Sequence, residues 1–324
     1  MRVLFVCSGN VKGFDVVPFI KEQGEAIRAA GVDVDYFPVA GKGLKGYWRA
    51  SRALRSHLKQ ERYDLIHAHF TLSGWVAVLA AGRIPVVLSL MGSDAYGQYV
   101  GEGKVTFSSR YLTFLTLLIQ PFVRAIISKS RNIDRYVYMK WKSYVIPNGI
   151  DIRKFRASPA PYRAELALNG EKKQILFLGS KNSVRKNFRL AREAVSYLKR
   201  SDVELINPYP VSHSFVPKYL NSVSVLAVCS YMEGSPNVIK EAMACNCPIV
   251  ATDVGDVKWV LGKTEGCYVA SFNPKDYAAK LNQALDFSEA RGRTLGEQRI
   301  KDLGLDSETI ALRVINVYQR ALNR

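Results

Sequence analysis

The chain has 324 residues, 48% hydrophobic and 23% charged, which excludes a disordered chain and leaves length enough for two domains of ordinary size. Lys and Arg outnumber Asp and Glu by 46 to 28, a net charge of +18, so anionic company is expected: nucleic acid, an acidic membrane face or phosphorylated substrates. No apolar run approaches the roughly 20 residues of a membrane span. The start, MRVLFVCSGN, reads as a first strand rather than a signal peptide, and the five scattered cysteines show neither disulfide nor zinc spacing. The expectation is a cytoplasmic protein, soluble or peripheral at the inner face of a membrane.

Residues 3–7 predict a strand, followed by a loop at 8–13 ending on Gly13, a helix to about residue 30 and a second strand at 32–37. This is the opening of a doubly wound domain. The loop is not a G-x-G-x-x-G fingerprint, which disfavours a nicotinamide or flavin; no cofactor is expected. In the next segment Lys45, Arg49, Arg52, Arg55, Lys59 and Arg62 fall within roughly 140° of one helix face, with Tyr47, Leu54 and Leu58 opposite. That face can rest on anionic lipid or simply be solvated. Strands follow at 63–68, 85–90, 125–128 and 144–146, and the run 111–119 reads as a core helix. The first of these strands closes as DLIHAHF, whose spacing of two puts His67 and His69 on one face. No third ligand is near, so substrate contact or capping is favoured over metal.

The stretch 147–170 loses its period and gathers prolines and cations, which marks a connection between domains. The predicted division is residues 1–155, residues 156–306 and a terminal helix at 307–324 that packs back on the first domain. The second domain opens with a strand at 173–178, a helix at 188–199 and a strand at 203–206.

The second domain centres on SVSVLAVCSYMEGSPNVIKEAMACNCPIVATDVGD, a strand, loop, helix and strand. Ser235 is the expected N-cap and Pro236 the expected first helical residue. Glu233 precedes Gly234, which lets backbone approach a ligand, and the helix start at Asn237 and Val238 suits a phosphate or sugar oxygen. Glu241, further along the helix, has the chemistry to accept both hydroxyls of a ribose. The cations Lys181, Arg185 and Lys186 of the loop after residue 179 belong to the same sheet edge, where they suit a diphosphate without a metal. The bland alternative is a surface loop with solvated charges.

The segment EGSPNVIKEAMACNCPIVATDVGDV resembles the nucleotide-sugar half-site of group 1 (family 4) glycosyltransferases of the GT-B fold. DLIHAHF, LMGSDAYG, ISKSRNIDRY, VIPNGIDIRKF and FLGSKNSVRKN fall in the family's order, so the resemblance covers nearly the whole chain. It implies two doubly wound, Rossmann-like α/β domains facing across a cleft, and a retaining hexosyltransferase-type enzyme that needs no metal. The donor it implies is a nucleotide diphosphate sugar held mainly by the second domain. The acceptor expected from the resemblance is a glycan or lipid-linked saccharide, in cell-surface polysaccharide synthesis. Lys186 matches the family lysine on the diphosphate, Glu241 the ribose-binding glutamate and Glu233 the one beside the transferred sugar. Gly13, Ser180, Arg185, His69 and Asp94 are further expected substrate contacts. Two places depart from the family: Ser180 stands where arginine is common, and Met91 replaces the histidine of H-G-x-D.

One rival is an epimerase on the same fold, with His67 and His69 as its acid and base. The other, a nucleic-acid-binding protein, is motivated by the +18 but lacks a recognition helix or an aromatic RNA motif, so no nucleic acid is expected.

Overall fold

The computed structural model describes residues 1–10, 15–158 and 162–323; the expected contact Gly13 lies outside them. Two compact units emerge: Met1–Gln98, Thr106–Gly149 and Ser307–Arg324 form unit 1, while Tyr99–Val105 and Ile150–Asp306 form unit 2.

Unit 1 opens with β1 (Arg2–Ser8), α1 (Pro18–Ala29), β2 (Asp33–Val39), α2 (Gly43–Gln60), β3 (Leu65–His69), α3 (Thr71–Ala80), β4 (Val86–Leu90) and α4 (Ser93–Tyr96). A hairpin of β5 (Tyr99–Gly101) and β6 (Lys104–Val105) belongs to unit 2, after which unit 1 resumes with α5 (Arg110–Ile119), β7 (Ala125–Ser128), α6 (Arg131–Asp134) and β8 (Ser143–Val145). The sheet is parallel, in the order β2-β1-β3-β4-β7-β8. Parallel strands are covered on both faces, so they read as continuous apolar runs. Val3 through Cys7 of β1 are all fully buried.

Unit 2 contains β9 (Lys173–Leu176), α7 (Phe188–Tyr197), β10 (Val203–Ile206), α8 (Val216–Ser222), β11 (Val225–Val228), α9 (Asn237–Ala244), β12 (Ile249–Thr252), α10 (Val257–Leu261), β13 (Cys267–Ala270), α11 (Pro274–Arg291) and α12 (Gly296–Asp302). Its strands, also parallel, run β10-β9-β11-β12-β13. The last helix, α13 (Ser307–Leu322), buries Ile310, Val314, Val317, Tyr318 and Ala321 and packs on α1 in unit 1.

Three features differ from the sequence reading. The two compact units divide at 149/150, where the sequence suggests 155/156: Ile150 bridges Asp306, and the Phe155 ring, 1% exposed, lies 5.5 Å from the His213 ring at a tilt of 55°, all within unit 2. Helix α5 is not a core helix all round: it buries Leu112, Thr116 and Ile119 and leaves Tyr111, Phe114 and Leu118 outside. In α9 the first helical residue is Asn237, with Pro236 at the N-cap and no side-chain cap, so Ser235 does not cap the helix.

Candidate active site

In unit 2 the chain leaves β9 outward to β10 and returns to place β11 on the other side of β9. The strand order therefore reverses between β9 and β11, and ligands of open α/β sheets bind outside the carboxyl ends of the strands at such a point. Two loops leave that edge: residues 177–187 after β9 and 229–236 after β11. Beside the first of them lies a cavity of about 340 Å³ lined by Ser180, Arg185 and Lys186 of that loop, by Tyr209 after β10, and by Val238 and Glu241 of α9, among others. That volume is on the scale of small-ligand sites.

The loops are tied together through one carboxylate. Glu233 Oε1 accepts from Lys186 Nζ at 2.7 Å and from Ser230 Oγ at 2.8 Å, and lies 2.5 Å from Arg185 Nη1. Arg185 also donates to the Met232 carbonyl, while its own carbonyl accepts from the Tyr231 amide. Burial alone would raise the Glu233 pKa, but the adjacent Lys186 and Arg185 outweigh it and hold the carboxyl below its ordinary value. The group is thus ionised at neutral pH, and two cations are gathered where an incoming diphosphate can compete for them. Lys181 is not part of this cluster. It is exposed, with its ammonium 5.2 Å from the Phe188 ring centre.

Glu241 lines the cavity from α9, and a neighbour not assigned from sequence orients it. His213 Nε2 lies 3.1 Å from Glu241 Oε1, and Lys154 Nζ lies 3.0 Å from His213 Nδ1. Since an ammonium only donates, Nδ1 accepts and Nε2 carries the proton that it gives to Glu241. The histidine stands 28 residues before its partner in the irregular loop after β10, where no periodicity announces it.

The loop that carries Glu233 is held from below. Lys240 is fully buried, and its Nζ donates to Ser235 Oγ at 3.1 Å. Burial drives this ammonium down to about 8 against the pull of Asp256 and Glu241. Gly234 is buried beside Gly255, whose backbone takes φ +63°; a Cβ there would lie 2.2 Å from the Gly234 carbonyl oxygen. Helix α9 begins at Asn237, so the positive end of its dipole lies directly after the loop that carries Glu233.

Two family models match the sequence: Glycosyltransferase Family 4 over residues 11–154 and Glycosyl transferases group 1 over residues 206–286. The chain belongs to these glycosyltransferases. A D-inositol 3-phosphate glycosyltransferase of Kineococcus radiotolerans is 26% identical, over 94% of this chain and 83% of its own. Among solved structures, sucrose-phosphate synthase of Thermosynechococcus elongatus superposes with a TM-score of 0.81 at 19% identity, covering 99% of both chains. HepE of Anabaena, in a crystal structure in complex with UDP, gives a TM-score of 0.73 at 16% identity over 98% of this chain and 100% of its own. These likenesses show the GT-B fold, with its two Rossmann-like units.

In this glycosyltransferase the residues expected to bind substrate from unit 1 are placed differently from those of unit 2. Asp94 is fully buried, and its carboxylate accepts from the amides of Met91 (3.0 Å), Gly92 (2.8 Å) and Thr71 (3.0 Å). Burial raises its pKa, and those amide bonds oppose the rise. Asp94 thus shapes the turn after β4, its carboxylate turned to backbone amides. His69 is likewise enclosed, 1% exposed. His67 lies 4.2 Å from it, ring centre to ring centre, with Nδ1 2.6 Å from the Tyr318 hydroxyl and Nε2 2.8 Å from Ser89 Oγ. Burial and the nearby Lys129 push the His67 pKa well below its ordinary value, while burial, His67 and Lys129 do the same for His69. A neutral, enclosed pair suits neither the acid nor the base of an epimerase.

Proposed function

We propose that this glycosyltransferase moves one sugar, with retention at its anomeric carbon, from a nucleoside diphosphate sugar to a hydroxyl of a saccharide, free or lipid-linked. The observation that carries the reading is the convergence on Glu233 of Lys186 and Arg185, two cations that line the same cavity as Glu241. The ribose sits against Glu241, oriented by His213, and the diphosphate takes up the two cations and the first turn of α9. Glu233, displaced from part of its pairing, faces the transferred sugar. The UDP held by HepE at the same fold supports a diphosphate donor.

In the transfer the bond from the anomeric carbon to the phosphate oxygen breaks, and one from that carbon to the acceptor oxygen forms. The acceptor proton passes to the departing phosphate oxygen on the same face of the sugar. Lys186 and Arg185 stabilise charge as it develops on the leaving group, and preorganised donors of this kind are a large catalytic term. The five cysteines, all unpaired as thiols, suit a reducing cytoplasm, where a role in cell-surface polysaccharide synthesis places the enzyme at the inner membrane face.

Among the described residues no group of three or more His, Cys, Asp or Glu side chains is placed to hold a metal ion. With the diphosphate neutralised by side-chain cations, transfer from a panel of nucleoside diphosphate sugars should persist in excess chelator. Complete loss that divalent metal restores would contradict this, and absence of transfer from every donor to every saccharide would contradict the reading as a whole.

A further inference from the structure

One side of unit 1 combines two properties that rarely coincide on a soluble surface. Helix α3 packs against both α2 and α5, and Arg55 of α2 donates to the Leu79 carbonyl while the Trp75 indole donates to the Leu115 carbonyl. The outward face of α2 carries Lys45, Arg49, Arg52, Arg55 and Lys59, all exposed. Beside it, residues 107–122 present Phe107, Tyr111, Phe114, Leu118 and Phe122 at 84%, 57%, 59%, 44% and 61% exposure. Trp48, 58% exposed, lies under the Arg52 guanidinium within the basic face. Neither α2, α3 nor residues 107–122 contains an Asp or Glu.

The geometry points to this side of unit 1 as a docking surface for an anionic lipid bilayer, with the outward residues of 107–122 entering the headgroup boundary and the cations of α2 resting on the headgroups. Large apolar side chains left contiguous in water mark an interaction site. A row of aromatic and aliphatic groups flanked by Lys and Arg is the pattern of elements that lie in the membrane interface. A second copy of the chain is the poorer occupant, because a two-fold contact sets each patch against itself and places cation against cation with no carboxylate to relieve it. An anionic bilayer supplies the missing negative charge and the apolar depth together. Among the described residues no helix is long and apolar enough to cross a membrane, so attachment here is from one side. The surface deepens the lipid-linked acceptor reading, and vesicle binding, which needs neither donor nor acceptor, tests it separately.

The test is cosedimentation of the full chain with vesicles of phosphatidylglycerol and phosphatidylcholine, compared with phosphatidylcholine alone. Binding is expected to the former only. Changing Arg49, Arg52 and Lys59 together to Glu should weaken it by at least about 100-fold, and Phe107→Ser with Phe114→Ser should weaken it at least about tenfold. All five positions are exposed, so an unchanged melting temperature identifies variants that remain folded. Equal binding to both vesicle types, binding to neither, or binding insensitive to either set of changes overturns the inference. So does self-association in solution that the Phe changes abolish without any vesicle binding. Transfer to a soluble acceptor that persists while vesicle binding fails removes the surface and leaves the proposed reaction standing.

Discussion

Replacing Lys186 by alanine should lower turnover by about 2 to 4 kcal/mol of transition-state stabilisation, the loss that follows removal of one donor to developing charge. In the unliganded enzyme Lys186 pairs with Glu233, but that carboxylate keeps Arg185 and Ser230 as partners when the lysine is gone. The variant should therefore stay folded, and the deficit should appear in kcat rather than in melting temperature. Steady-state kinetics on Lys186→Ala check this. Near-normal kcat would remove the lysine from the mechanism, and a collapse of folding would assign it to structure.

The second large effect is expected at a glycine, which carries no side chain of its own. Gly255→Ala puts a Cβ 2.2 Å from the Gly234 carbonyl oxygen and 2.7 Å from that of Glu233, at a φ of +63°. Both obstacles are backbone, so no rotamer change relieves them, and the left-handed conformation adds about 1 to 3 kcal/mol of strain for a residue with a side chain. The loop after β11 must shift, and Glu233 with it. A displacement near 1 Å at a reacting centre costs on the order of 100-fold in rate. Activity should fall by at least about that factor in protein that remains folded by circular dichroism. Full activity in Gly255→Ala would show that the position of this loop does not matter to the reaction.

Much of the fold was legible because parallel strands buried on both faces leave dense apolar runs. Strands β7 and β10 lie at the residues that sequence alone suggests, 125–128 and 203–206. What escaped were features set by contacts distant in sequence. Ser235 has the chemistry of a helix cap, but Lys240 reaches its hydroxyl from within α9 and the helix starts after Pro236. Asp94 looks like a binding carboxylate in its motif, and only the fold brings the Thr71 amide to it from 23 residues upstream. The pairing of His213 with Glu241, and of Lys154 with His213, likewise has no linear signature. In α5 the apolar pattern runs nearly all round, so periodicity does not separate the side facing the core from the side left outside. The cluster of Lys186, Arg185 and Glu233 was the more readable part, since the two loops leave adjacent strands at the reversal point of one sheet.

The claim on which the rest depends is that the cavity beside β9 and β11 binds a nucleoside diphosphate sugar with its ribose on Glu241. A thermal-shift panel of nucleoside diphosphates and their sugars, run on the wild type and on Glu241→Ala, tests it most directly. A ligand at about 100 times its dissociation constant stabilises by about 2.7 kcal/mol, so at least one donor should raise the melting temperature of the wild type. The same donor should give little or no shift in Glu241→Ala at equal concentration. No stabilisation by any nucleoside diphosphate or its sugar, or a shift undiminished by loss of Glu241, would contradict the account.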